Sequence, residues 1–299
     1  MATLLDFRRR IRSVKNTQQI TRAMKFVAAA RLRRAQEKVF AARPYARLME
    51  SVLRSVLARV EALIHPLMAR RPEERVLLLM LSGDRGLCGA FNTNIIRRTT
   101  ELLRERSRQA LEIIPIGKKG RDALRKHKWS FVAEYINVIA RVEYAHAKQI
   151  AAQVIERYSA GEVDAVHAIY NEFRSVLVQR LKVEKLLPIE PDSLVPVVEE
   201  LRREAAAGPE QAQAVDYIYE QPAAEIFDRL LPRYVETQVH RVMLESSAAE
   251  HAARMTAMDS ATNNAAELIE HLTLHMNKVR QASITKEIIE VVSGAAWTV

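Results

Sequence analysis

The chain has 299 residues, with 46 Lys and Arg against 36 Asp and Glu, a formal charge of +10. Its 48% hydrophobic and 27% charged residues give a globular balance that excludes collagen-like, low-complexity and charge-only chains. A single cysteine, Cys88, excludes an internal disulfide and a paired-thiol zinc site, and fits a reducing compartment. The apolar run from Val76 to Leu81 is far short of the roughly 20 residues that cross a bilayer, and nothing near Met1 resembles a secretory segment.

The charge sits at one end. Residues 1–43 hold twelve bases and two acids, and the remaining residues hold 34 of each, so the whole excess belongs to the N-terminal segment. That segment must face water, an acidic partner or a polyanion. From Thr3 to Arg43 there is no Gly and no Pro, which predicts one helix of about forty residues, ~60 Å long. Pro44 is expected to break or kink it, with helical pattern resuming through Leu48, Val52 and Val56 and stopping near His65-Pro66.

In the middle, short apolar runs alternate with polar helical stretches. Strands are predicted at Val76–Ser82, Leu111–Ile116, Phe131–Tyr135, Ala165–Tyr170 and Val183–Leu187, and helices at Phe91–Ser107, Gly120–His127 and Val142–Ser159. Five strands with intervening helices imply a small, mainly parallel α/β sheet. Four prolines between Pro188 and Pro209 mark a loop-rich exit from it.

After Pro222 a second long helix is predicted to Ser293-Gly294, about seventy residues or ~105 Å, with Pro232 as a kink point. Its stripe at Leu244, Ala248, His251, Met255, Met258, Thr262, Ala265, Ile269, Leu272, Met276, Val279 and Ser283 advances by alternating fours and threes, a heptad seam. The N-terminal helix carries a matching seam, Leu4, Phe7, Ile11, Val14, Gln18, Thr21, Lys25, Ala28, Leu32, Ala35 and Val39, whose middle is polar. Two such helices at opposite ends of a chain can bury each other as an antiparallel coiled coil; pairing with a second copy is the other solution.

Sites for chemistry are few. Residues 82–92, Ser-Gly-Asp-Arg-Gly-Leu-Cys-Gly-Ala-Phe-Asn, follow a strand and open a helix, where α/β proteins bind phosphate. The spacing matches neither nucleotide fingerprint and lacks the lysine, so a tight turn with close helix packing is the simpler reading. Cys88 has no His nearby in sequence, and His271 and His275 share a helical face without the Glu of a His-Glu-x-x-His motif. No catalytic, cofactor or metal set is expected. The basic helix leaves two further readings open, a cleavable transit peptide and a nucleic-acid-binding surface, although its early aromatic, Phe7, lies on the seam.

Residues 12–25, Arg-Ser-Val-Lys-Asn-Thr-Gln-Gln-Ile-Thr-Arg-Ala-Met-Lys, and the run Asp84-Arg85-Gly86-Leu87-Cys88-Gly89 resemble the gamma subunit of F-type ATP synthases. So do Tyr217-Ile218-Tyr219-Glu220, Leu231-Pro232-Arg233-Tyr234-Val235, Arg254 through Ala265, and Arg280 through Thr285. This resemblance implies α/β plus long α: an antiparallel two-helix coiled coil formed by the N- and C-terminal helices, with a small Rossmann-like α/β domain between them. The expected boundaries are 1–65, 66–221 and 222–299.

It also implies a non-catalytic rotor shaft inside three alpha and three beta subunits, with catalysis in beta, and a foot meeting the epsilon subunit and the membrane rotor ring. Beta loops are expected near Met24, Lys25, Arg280, Gln281 and Thr285, and Glu220 near the rotor ring. Acidic beta loops would face the basic helix, which then needs no nucleic acid. The uncharged tip at residues 294–299, with Trp297 departing from the smaller residues usual there, would turn inside an apolar sleeve. Lone Cys88 speaks against chloroplast-type thiol control, and the absence of a segment before the matched helix points to the cytoplasmic face of a bacterial plasma membrane, reached only through the complex.

Overall fold

The computed structural model describes residues 3–57, 65–106, 110–190 and 223–296. Two units share the long helices, residues 1–30 with 254–299, and residues 31–253.

Helix α1 runs Leu4–Leu57 and a second long helix, the last element, runs Ala223–Ala296. Between them stand β1 (Arg75–Leu81), α2 (Phe91–Glu105), β2 (Ala110–Ile116), α3 (Lys118–Lys126), α4 (Tyr144–Ser159), β3 (Ala165–Phe173) and β4 (Gln179–Leu187), which makes the last helix α5. Pro44 does not break α1. Pro44 and Phe40, whose carbonyl loses its helical donor, are both exposed, so water can take that carbonyl, while buried Val39, Met49 and Leu53 hold the helix on either side. Pro232 likewise lies within unbroken helix, between buried Leu231 and Val235.

The sheet has the order β2-β1-β3-β4. β1 pairs parallel with both neighbours, Leu81 opposite Ile116 and Val76 opposite Ala165. Residues 174–178 are too few for a crossover, so β4 turns back antiparallel to β3, with Phe173 opposite Gln179. Six of the seven β1 residues are buried, as a central parallel strand covered on both faces must be. Val76, Leu78 and Met80 pack on one face with Ile113, Phe91 and Ile95. β4 is tied to α5 by an ion pair between Glu184 and Arg241.

The fifth strand expected at Phe131–Tyr135 does not form; one parallel bridge joins Ile116 to Tyr135. The cause is Pro115. Val132 N–H donates to the Ile113 carbonyl, Tyr135 N–H to the Pro115 carbonyl, and Gly117 N–H to the Tyr135 carbonyl. Ile113, Pro115 and Gly117 therefore present their polar groups to the outer edge of β2, and proline has no hydrogen to supply the middle bond of that ladder.

Candidate functional site

Within the unit of residues 1–30 and 254–299, the two predicted seams are the sheltered stripes. Phe7, Thr21 and Ala28 are buried on α1, and Met258 and Ala265 on α5; the intervening seam positions of both helices are half-buried. The Phe7 and His275 rings lie 5.0 Å apart. Gln18 Nε2 donates to the Thr262 carbonyl at 3.5 Å, Thr21 Oγ1 and Thr262 Oγ1 are 2.8 Å apart, and Lys25 Nζ donates to Asp259 Oδ1 at 2.5 Å. As the α1 number climbs from 7 to 25, its partner falls from 275 to 259, so the helices run antiparallel and pair within one chain.

This pairing turns the basic residues outward. Arg8, Arg9, Arg10, Arg12, Lys15 and Arg22 are all exposed. Lys25 differs, because its charge is matched within the pair by Asp259.

The predicted contact residues fall into two groups. Met24 and Lys25 are both half-buried, Lys25 paired with Asp259. Arg280, Gln281 and Thr285 are exposed, Thr285 Oγ1 donating to the Gln281 carbonyl at 2.9 Å. The second group lies roughly 30 Å farther along α5 at about 1.5 Å per residue. Glu220 and Trp297 fall outside the described residues. Asp259 was the residue missed in sequence, where it stands just off the seam after Met258; the signal was Lys25 itself, a charge on a buried stripe that required an acid opposite. Beyond Ser283 every described side chain of known exposure, through Ser293, is exposed, including Ile284, Ile288, Ile289, Val291 and Val292.

The glycine-bearing turn is filled from within. Asn92 Oδ1 accepts from Gly83 N–H at 2.8 Å, and its Nδ2 donates to the Arg85 carbonyl and to Cys88 Sγ, both at 3.2 Å. Buried Asp84 places Oδ1 on the N–H groups of Lys118 and Asn137, at 3.0 and 2.8 Å. A protein carboxylate thus occupies the start of α3, where a phosphate would otherwise be attracted. Cys88 is buried, and His271 and His275 are exposed. Among the described residues no group of three His, Cys, Asp or Glu could hold a metal.

A family model described as ATP synthase matches residues 3–296. The ATP synthase gamma chain of Solibacter usitatus (strain Ellin6076) is 52% identical over 300 residues, covering 99% of each chain. The chain belongs to the ATP synthase gamma-chain family. The gamma chain of Pelotomaculum thermopropionicum is 47% identical over 299 residues, again covering 99% of each. Among solved structures, the central stalk and c-ring of Tetrahymena thermophila mitochondrial ATP synthase contains a chain similar at a TM-score of 0.57 and 26% identity, over 81% of this chain and 99% of that one. A chain of Euglena gracilis mitochondrial ATP synthase shares the fold at a TM-score of 0.63 and 22% identity, over 98% and 93%.

Proposed function

We propose that this chain is the non-catalytic central shaft of a proton-translocating F-type ATP synthase, carrying rotation between the membrane rotor ring and a catalytic hexamer of alpha and beta subunits. The observation that carries the reading is an antiparallel helix pair, bonded across at Thr21–Thr262 and Lys25–Asp259, in a chain 52% identical to an ATP synthase gamma chain. A shaft must resist twisting, and two helices joined along a shared seam resist it better than one. It must also be asymmetric, and one chain inside three alpha and three beta subunits presents each beta subunit with a different face. Catalysis then resides in beta.

The exposed basic face of α1 suits acidic loops of beta. Met24, Lys25, Arg280, Gln281 and Thr285 form two contact levels with the hexamer. Exposed Ile288, Ile289, Val291 and Val292 suit an apolar sleeve around the shaft end. The α/β domain, bounded as 66–221 between helical segments 1–65 and 222–299, meets the epsilon subunit and the rotor ring, with Glu220 on the ring side. No helix among the described residues is long and apolar enough to cross a membrane. Attachment is peripheral, through the complex, on the cytoplasmic face of a bacterial plasma membrane.

Pull-down from native membranes with subunit counting tests this. One copy per ATP-hydrolysing hexamer is expected, whereas nuclease-sensitive partners would support the nucleic-acid reading instead.

A further inference from the structure

The seam of the helix pair changes chemistry at one level. Toward the start of α1 it is apolar, with Ile11 and Val14 on one helix and Ala265, Ile269 and Leu272 on the other. Apolar heptads repeat, and flexible Leu and Met side chains fill irregular gaps, so such a seam accepts several axial alignments one heptad apart. The polar level accepts one. Thr21 Oγ1 and Thr262 Oγ1 stand 2.8 Å apart, and each also reaches a carbonyl of its own helix, Gln18 at 3.0 Å and Met258 at 2.7 Å, so one of the two hydroxyl hydrogens bridges the helices in place of its own-helix bond. Lys25 meets Asp259 in the next turn.

We infer that the Thr21–Thr262 and Lys25–Asp259 contacts are a register lock, positioning the two helices in a single axial alignment. A slip of one heptad, about 10 Å, in one direction sets Lys25 opposite Ala266 and Thr21 opposite Ile269. In the other direction it sets them opposite Ala252 and Met255. Either slip takes the half-exposed Lys25 ammonium away from its carboxylate and sets a hydroxyl against an apolar side chain. Single polar positions in a seam fix alignment in this way. The lock belongs to the chain's own helices and holds whether or not the pair turns in a ring. Its value to a shaft is that surface contacts on α1 and α5 stay at fixed heights relative to one another.

Disulfide capture in the full chain reads the alignment. In a Cys88→Ala background, Ile11→Cys with Leu272→Cys reports the observed register, and Ile11→Cys with Val279→Cys or Ala265→Cys reports slips either way. With the lock intact, only the first pair is expected to close. Replacing the lock by Thr21→Val, Lys25→Leu, Asp259→Leu and Thr262→Val should raise slipped crosslinks roughly tenfold or more, a change of about 1.4 kcal/mol in alignment preference. Lys25→Asp alone, which sets two carboxylates face to face, should also raise them, and adding Asp259→Lys should restore the observed register. The lock is overturned if either the apolar variant or Lys25→Asp closes only the 11–272 pair.

Discussion

Arg241 of α5 donates through Nη2 to Glu184 Oε1 of β4 at 2.7 Å. Nη1 reaches Glu245 Oε1 at 3.2 Å, and Nε reaches Gln238 Oε1 at 2.8 Å. Burial alone would raise Glu184, but the guanidinium and the Tyr170 hydroxyl, 2.5 Å from its Oε2, hold it below the usual carboxylate range. Glu245, on the other side, is pushed up by burial that the same guanidinium only partly offsets. Arg241 therefore serves two sheltered carboxylates on a strand and a helix, with Lys182 Nζ also 3.1 Å from Glu184 Oε2. Arg241→Met removes the guanidinium and is expected to cost about 3–5 kcal/mol, read as a fall in the denaturant midpoint of the purified chain.

His167 of β3 titrates against this fold. Burial holds it below the ordinary histidine value of 6.5, with Arg106 and Lys185 adding to the effect and Glu73, 3.5 Å from Nε2, opposing it. A depressed histidine means that the unfolded chain binds more protons, so stability is lost as pH falls below about 6.5. Glu73, where burial is outweighed by Lys185, His167 and Arg106, is itself held low and loses its contribution only below about 4.5. Urea unfolding between about pH 7 and pH 5 should show a falling stability whose slope is smaller in His167→Gln. Part of the slope should persist, because burial also depresses His65 and His240. An unchanged slope in the variant would reject the assignment.

Gly117 closes the joint between β2 and α3 at φ +108°, a backbone region that side-chain-bearing residues rarely adopt. A Cβ there would lie 1.9 Å from the Ser82 carbonyl oxygen. Gly117→Ala should cost at least about 3 kcal/mol, detectable as a large drop in melting temperature or loss of soluble chain.

Arg280 is exposed, so Arg280→Glu should leave the unfolding of the purified chain within about 0.5 kcal/mol of the parent. In assembled enzyme the same reversal should weaken the coupling of ATP hydrolysis to proton pumping or lower complex yield. Unchanged pumping and unchanged yield would count against a hexamer contact at this height.

The Lys25–Asp259 pair is more than a third exposed on both sides. A double-mutant cycle with Lys25→Ala and Asp259→Ala should give a coupling of only about 0.2–1 kcal/mol, shrinking as salt is added. The pair is therefore one contribution to the alignment preference, to which the Thr21–Thr262 contact adds.

The long helices and their facing stripes were legible because heptad spacing is a local property written directly in residue order. Even the polar middle of the α1 stripe, at Gln18, Thr21 and Lys25, was visible there. What answered it was not, because Asp259 lies off the α5 stripe and its role depends on axial alignment, which spacing alone leaves undetermined. The apolar run at Phe131–Tyr135 reads as a strand by composition, and only the outward direction of Pro115 in the neighbouring strand shows why it stops at one bridge. Pro44 misled in the opposite sense: local rules end the helix there, while buried residues on both sides carry it through. The Arg241 cluster joins positions from 170 to 245, and no window of sequence contains it.

Pro115 also bears on life in a crowded cell. An outermost strand with every amide hydrogen available is a template on which a stray chain can polymerise. Here that flank lacks one hydrogen at its centre, and Val132 and Tyr135 already hold the neighbouring acceptors. The margin of β2 therefore gives a second molecule no continuous ladder to extend, and newly made chains awaiting assembly are shielded on that side from fibril growth.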